Sequence, residues 1–343
     1  MRLLWILLWI KRKIMEKYYI NSNGRLRRKE NTLYFEYSDT NKGKKAIPIN
    51  NVDSIYLFGE VDLNTKVINL LSQYEITLHF FNYYGFYGGS FYPREKNVSG
   101  DLLVKQVQFY LDEKNRFFLA ASFVDGATFH ILRNLRKSNI DNELIENFSH
   151  DYLTDIAKCN NIQSLMAVEG GIREIYYSFF NTLIKEPKFI FNTRQKNPPV
   201  GPVNALISFG NSMLYTAILS EIYKTQLNPT ISYLHTPSEK RFSLSLDIAD
   251  IFKPLIIDPI IFSLINLKIL TLEDFDSDLN YSYLNEKGRI KFIKAFEEKL
   301  STTIKHRTLK RKTSYRYLLR LECYKLIKHL ISDEIYKPFK AWW

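Results

Sequence analysis

Two hydrophobic periodicities divide the chain. Up to about residue 93, apolar positions come in short runs rich in β-branched and aromatic residues, at 18–20, 32–37, 46–49, 54–58 and 76–82. Such runs read as strands. Asn23-Gly24, residues 39–43 and Asn50-Asn51 separate them, and Asn23-Gly24 predicts a hairpin turn. One helix interrupts, from Asn64 as cap through Val67, Ile68 and Leu71. Gly85, Gly88 and Gly89 punctuate a last hairpin, and His79 reads as a packed strand residue. From residue 102 the spacing turns helical, with segments at 102–111, 115–137, 143–158, 164–182, 202–225, 244–257, 260–269, 286–303 and 313–331. The pattern predicts an α+β chain. A small, mostly antiparallel β domain occupies 15–95, a polar linker 96–101, and a larger all-α domain 102–343.

Residues 1–14 stand apart. MRLLWILLWIKRKI holds an eight-residue apolar run followed by Lys11, Arg12 and Lys13. The run is too short to span a bilayer, and no small-residue cleavage site follows. With Met15 directly before strand-like sequence, the segment reads as an extension or a mis-assigned start. An interfacial anchor is the competing reading; no membrane partner is expected.

Composition narrows the class. The 343 residues include 48 Lys and Arg against 36 Asp and Glu, a net charge of +12, with 24 Phe, 23 Tyr and four Trp. A basic, aromatic-rich chain meets polyanions, nucleic acid first. Charge alone does not separate nucleic acid from an anionic membrane surface. The two cysteines, Cys159 and Cys323, form no CxxC. They suggest neither a disulfide framework nor a structural zinc site, and a reducing cytoplasm is the expected compartment.

Three stretches carry candidate chemistry. In the first, Glu169, Arg173 and Tyr176 share one helical face at i, i+4 and i+7. Gly170 and Gly171 weaken that helix, which makes sense where another backbone or a nucleic-acid strand comes close. An ordinary surface Glu–Arg pair is the plainer alternative. In the second, a basic, proline-rich loop containing Arg194, Lys196, Pro198 and Pro199 runs into a helix with Pro202 near its first turn. Asn204, Ser208 and Asn211 then form a polar stripe. In the third, His235 precedes Asp247 and Asp250, which lie on one helical face at i, i+3. Two adjacent carboxylates repel unless a cation or basic partner sits between them, and a nearby imidazole would complete a ligand set for a divalent metal. An amphipathic helix with solvated aspartates fits the same spacing.

In order and spacing these blocks resemble the CRISPR-associated integrase that captures new spacers, the endonuclease subunit of the adaptation complex. The matching text is Val168, Glu169 and Gly170 with Tyr176, then Asn197 to Pro199 with Pro202 to Leu206 and Ser208 to Gly210. It continues through Leu234-His235, Arg241, Leu246 to Ile248 and Phe252-Lys253-Pro254, and closes on Arg320 to Leu326 and Tyr336 to Phe339. The start, Tyr18 to Ile20 with Asn23 to Leu26, resembles the family as well. The resemblance implies that Glu169, His235 and Asp250 are catalytic and bind Mg²⁺ or Mn²⁺, with Asp247 as an accessory acid. It implies an endonuclease/integrase that cuts and joins phosphodiesters, a hydrolase acting on ester bonds. It also implies a homodimer through the β domains, and assembly with a small adaptation partner protein around duplex DNA and the CRISPR repeat. A ligating His235 must be neutral, so activity is expected to fall as pH drops below its pKa.

Departures from the family pattern fall at Gly201, Asn211, Ala127 and His130, and bear on DNA contacts rather than on the three ligands. Candidate DNA contacts are Arg173, Tyr176, Arg194, Lys196, Asn204, Arg241, Arg311 and Arg316. The last two belong to a basic cluster from Lys305 to Arg320 that is interleaved with Tyr315 and Tyr317. A structure-selective nuclease on branched DNA and a non-catalytic basic scaffold are the rival functions.

Overall fold

The computed structural model describes residues 16–94, 97–138, 140–196, 198–237 and 242–343. The expectation for residues 1–14 lies outside them. The chain divides into two compact units, one ending at Lys96 and one starting at Asn97.

The expected α+β order is observed, sheet first and helices after. The first unit contains β1 (Glu16–Ile20), β2 (Gly24–Lys29), β3 (Thr32–Tyr37), β4 (Lys44–Ile47), β5 (Val52–Leu57) and β6 (Val61–Asp62). It continues with α1 (Thr65–Gln73), β7 (Thr77–Phe81) and β8 (Tyr87–Phe91). Two four-stranded sheets result, ordered β1-β5-β7-β8 and β4-β3-β2-β6. Leu26, Leu33, Phe35, Ile55, Leu57, Leu70 and Leu71 belong to their common core.

Strand sense departs from the mostly antiparallel expectation. β5 pairs parallel with both β1 and β7, and β2 pairs parallel with β6. Among the described residues of this unit, β2–β3, β3–β4 and β7–β8 are antiparallel. Parallel neighbours need a long crossover. The β2–β4 layer supplies one between β1 and β5, and α1 supplies the other between β5 and β7. Tyr56 and His79 on these inner strands are buried with their rings 4.8 Å apart, so His79 is the packed residue expected. Asn23-Gly24 is not a hairpin turn; the chain passes there from one sheet to the other. Gly24 is required by close approach, because a Cβ would lie 2.2 Å from the Glu36 carbonyl oxygen. The β2–β3 hairpin turns instead through Glu30, at φ 54°. Strand β2, GRLRRK, buries only Leu26, so no apolar alternation marked it. Asn64 caps α1 as expected, its Oδ1 accepting from the Val67 amide at 3.3 Å.

The second unit contains α2 (Gly100–Leu111), α3 (Glu113–Arg136), α4 (Asn142–Lys158), α5 (Ile162–Ser178), α6 (Phe180–Leu183) and α7 (Pro202–Tyr223). It continues through α8 (Ser243–Phe252), a π-helical turn (Lys253–Ile257), α9 (Asp258–Asn266) and α10 (Glu286–Ser301). A short hairpin, β9 (Thr303–Lys305) and β10 (Lys312–Ser314), and α11 (Tyr315–Leu330) complete it. Helix α7 is apolar on nearly every side and is buried accordingly. The hairpin amends the all-α expectation: Ile304 pairs with Thr313 and Thr303 with Ser314, and the β-branched Thr303, Ile304 and Thr313 favour extended backbone over helix. The segment after α11 has no regular structure but buries Tyr336, Phe339 and Ala341. Glu322 anchors it by accepting from the Tyr336 hydroxyl at 2.5 Å and the Phe339 amide at 3.1 Å. Among the described residues no helix is long and apolar enough to cross a membrane.

Candidate active site

Asp247 organises the approach to the site. It is buried in α8, and its carboxylate accepts from the backbone N–H groups of Tyr233 at 2.7 Å, Leu234 at 3.1 Å and His235 at 3.0 Å. It also takes the ring proton of His235, with Nδ1 2.8 Å away. Ser232 bonds Ser243 at 2.8 Å, a second stitch between this segment and the first turn of α8. A carboxylate can only accept, so a proton of the imidazole sits on Nδ1, and Nε2 is the nitrogen that Asp247 does not engage. Burial would lower the pKa of His235, but Asp247 and Asp250 outweigh it and raise it. The accessory acid expected beside a metal is thus the residue that orients the histidine.

Asp250, one turn further on, is buried and paired differently. Its Oδ1 accepts from Lys253 Nζ at 2.6 Å and from the Arg173 guanidinium at 2.8 Å. Arg173 also donates through Nε to Glu169, one turn back on α5. Arg173 thereby links the two carboxylates from separate helices. Burial pushes the Asp250 carboxyl up, but Lys253 and Arg173 overcome it and hold the group at about 2. Lys253 is raised in return, since Asp250 outweighs its own burial. Its ammonium also lies 4.9 Å from the centre of the Tyr215 ring.

The carrier of Lys253 is unusual. Pro254 has no N–H to give the Asp250 carbonyl, and the ladder opens into a π-helical turn in which the Asp258 amide reaches back to Lys253. In that wider register the Pro254 carbonyl would meet residue 259, which is also proline. Asn134 of α3 supplies a donor instead, its Nδ2 lying 2.6 Å from the Pro254 oxygen and 3.0 Å from the Tyr176 hydroxyl. One turn earlier, His130 Nδ1 bonds the Ile251 carbonyl at 2.9 Å, and one turn before that Gly126 lets α3 approach. A Cβ at Gly126 would lie 2.8 Å from Pro338 and 3.3 Å from Ile251. Tyr176 also hydrogen-bonds Asp258, whose carboxyl burial raises to about 7 against the pull of Arg173.

Several candidate DNA contacts are engaged inside the protein. Asn204 is buried: its Nδ2 donates to the carbonyls of Thr193 and Val200, both at 2.9 Å, and its Oδ1 accepts from Arg194 at 2.9 Å and the Gln195 amide at 3.0 Å. It clamps the proline-rich loop rather than facing outward. Arg194 donates to Ser208 as well, at 2.9 Å. Tyr176 is buried in the network just described, and Arg316 is ion-paired to Glu297. The reason is common to all four: a polar group withdrawn from solvent needs a partner, and each finds one in the fold. Lys196 is exposed, within electrostatic reach of Lys253 and Glu169. Arg311 is half-buried beside the Tyr317 ring. Arg241 and Asn197 lie outside the described residues. At Gly170 and Gly171 an added Cβ would meet no atom within 4 Å, so no other part of the described chain uses the room they leave.

The donor set fits a hard divalent cation: two carboxylates, one imidazole nitrogen, and no thiolate among them. Asp250 Oδ2 strengthens the fit, since it is buried without a hydrogen-bond partner. Among the described residues no three His, Cys, Asp or Glu side chains form a ready metal cluster. Arg173 stands between Glu169 and Asp250 and contributes positive charge there. Asn134 and Asp258 were given no role from the sequence, Lys253 entered only within the matching text, and His130 only as a departure from the family pattern. Their one sequence signal was Pro254 and Pro259, five positions apart in a helical stretch.

Residues 18–298 match the family described as CRISPR associated protein Cas1. The chain is 59% identical over 329 residues to the CRISPR-associated endonuclease Cas1 3 of Thermodesulfovibrio yellowstonii, covering 96% of this chain and 100% of that protein. It is 54% identical over 329 residues to the CRISPR-associated endonuclease Cas1 of Clostridium perfringens, covering 95% and 99%. The solved structure of a CAS1 protein from Thermotoga maritima matches with a TM-score of 0.84 at 38% identity, covering 94% of this chain and 99% of that one. With a family match over residues 18–298 and identities above half along nearly its whole length, this chain belongs to the CRISPR-associated Cas1 family.

Proposed function

We propose that this chain is a divalent-metal-dependent DNA endonuclease/integrase that inserts new spacers into a CRISPR array, acting in the cytoplasm as a homodimer with a small adaptation partner protein. The observation that carries the reading is the buried Oδ2 of Asp250, which has no hydrogen-bond partner, on a residue that Arg173 links to Glu169 in a member of this family. Glu169, Asp250 and the Nε2 of His235 would hold Mg²⁺ or Mn²⁺. Bound there, such an ion polarises a phosphodiester and stabilises charge on the attacking and leaving oxygens.

The residues of the chain do the rest. Asp247 keeps the His235 proton on Nδ1, so the ring presents its lone pair at Nε2. Arg173 and Lys253 hold Asp250 ionised and concentrate positive charge where a phosphate must arrive. The nucleophile is water in nicking and a DNA 3′-hydroxyl in joining. Lys196 and the basic hairpin residues Lys305, Arg307, Lys310 and Lys312 neutralise the phosphate backbone.

The test is a reaction of a short duplex with a supercoiled plasmid in Mn²⁺, with and without the partner protein, beside a branched DNA substrate. Joined plasmid–duplex product that disappears with EDTA is expected. Cleavage of branched DNA with no joining under any condition would leave the structure-selective nuclease standing, and neither reaction would leave the scaffold.

A further inference from the structure

We propose that Asn134 is a positioning residue for the metal-binding end of the site, acting as the side-chain substitute for a backbone donor that Pro259 removes. The inference rests on reading Asp250 as a metal ligand.

Between α8 and α9 the chain widens by one residue into the Lys253–Ile257 π turn, where the Asp258 amide bonds the Lys253 carbonyl. The Pro254 carbonyl therefore loses its α-register donor, and its π-register donor would be the nitrogen of Pro259, which bears no hydrogen. A buried carbonyl in that state costs about 1–3 kcal/mol and would let the ladder slip back or unwind. Nδ2 of Asn134 meets it at 2.6 Å. The second hydrogen of the same nitrogen meets the Tyr176 hydroxyl at 3.0 Å, and Tyr176 belongs to the helix that carries Glu169 and Arg173. One amide therefore ties together α3, the π turn behind Asp250 and Lys253, and α5. Asn134 touches none of the proposed metal ligands directly; it acts through where the π turn and α5 are held.

A π turn also rotates the residues before it relative to those after it, by the added residue. Lys253 reaches Asp250 from the start of this turn, and Asp258, at its far end, reaches Tyr176. If the turn relaxed, both contacts would change together. Residues that orient metal ligands from outside the ligand set typically alter metal affinity about 10–100-fold when removed.

The experiment uses the full chain and five forms: wild type, Asn134→Leu, Pro259→Ala, the two combined, and Asp250→Ala as the metal-site control. Leucine keeps the volume of asparagine without either donor, and alanine at 259 returns a backbone N–H that can reach the Pro254 carbonyl. Two quantities are measured: Mn²⁺ affinity by titration of the free-ion EPR signal, and amide hydrogen exchange over residues 252–262 in the metal-free protein. Asn134→Leu should weaken Mn²⁺ about tenfold and speed exchange in that peptide. Pro259→Ala alone should stay within about threefold of wild type, and the combined form should recover most of the lost affinity and protection. Asn134→Ser, with one donor too short to span both acceptors, carries the same comparison if the leucine form folds poorly. Wild-type exchange in Asn134→Leu, or no recovery in the combined form, overturns the inference. Wild-type protein that binds no Mn²⁺ sensitive to Asp250→Ala overturns the metal reading instead, while the exchange data still decide the clamp.

Discussion

Asp247 and Asp250 lie three residues apart on one helix and have different tasks. Asp247 is saturated by three backbone amides and one imidazole, so it holds a loop and orients a ligand. Asp250 keeps one buried oxygen without a partner. The spacing of the pair was legible in the sequence; the division of labour was not. It depends on where the amides of residues 233–235 come to rest, twelve or more positions earlier in the chain. Asp247→Ala would strand the Tyr233 and Leu234 amides without an acceptor, so urea unfolding should lose about 2–4 kcal/mol. An unchanged unfolding midpoint would show that the segment does not depend on this carboxylate.

His130 gives a pH signature at the same scale. It was noted in the sequence only as a departure from the family pattern. In the structure it is buried, with Nδ1 on the Ile251 carbonyl at 2.9 Å and Nε2 accepting from the Ala341 amide at 3.1 Å. That arrangement needs a neutral ring. Burial lowers its pKa from 6.5 to about 3, although the Ile251 carbonyl favours the charged form. Unfolded protein therefore takes up a proton at this position before folded protein does. The stabilising contribution is full above about pH 6.5 and is lost as pH falls towards 3. His130→Asn should flatten the fall in melting temperature across that window relative to wild type. A pH profile parallel to wild type would remove His130 from the account.

At the scale of elements, what the sequence hid was wherever hydrophobic periodicity is silent. Strand β2 buries one residue and is otherwise charged, so no alternation announced it. Parallel pairing in the first sheet follows from connections rather than from any strand's own residues. The break between α8 and α9 had only its two prolines as a mark, and their effect depended on Asn134 from another helix. Most of the β9–β10 hairpin falls in the unassigned stretch between two expected helical segments, and only Thr303, Thr313 and Ser314 lie at the ends of those segments.

Finding that hairpin changes what the basic cluster means. Arg316 and Arg320 turn inward, to Glu297 and to Glu221, whereas Lys305, Arg307, Lys310 and Lys312 are exposed. No acidic residue occurs between Glu298 and Glu322. Lys305→Glu, Lys310→Glu and Lys312→Glu together should weaken duplex binding and reduce the slope of log affinity against log salt by about 3. Melting temperature should be unchanged. An unaltered salt slope would exclude the hairpin from the DNA surface.

At the scale of the whole molecule, the order of the two parts and the family were legible, because many short blocks recur in order along the chain. What single blocks could not reveal is how the carboxylates are kept together in a basic, mostly helical unit. Arg173 is central to that arrangement: it joins Glu169 on its own helix to Asp250 on another. The same blocks misplaced Tyr176 and Asn204, since a polar residue in a motif reads alike whether it faces solvent or a buried partner.

The central claim is that Glu169, His235 and Asp250 form one metal-dependent site that cuts and joins DNA. The most direct measurement compares wild type with Glu169→Ala in Mn²⁺-dependent joining of a short duplex to supercoiled plasmid, at equal fold stability. Wild type should yield joined product, and Glu169→Ala should lower its rate by at least about a hundredfold. Joining by Glu169→Ala at the wild-type rate would contradict the account.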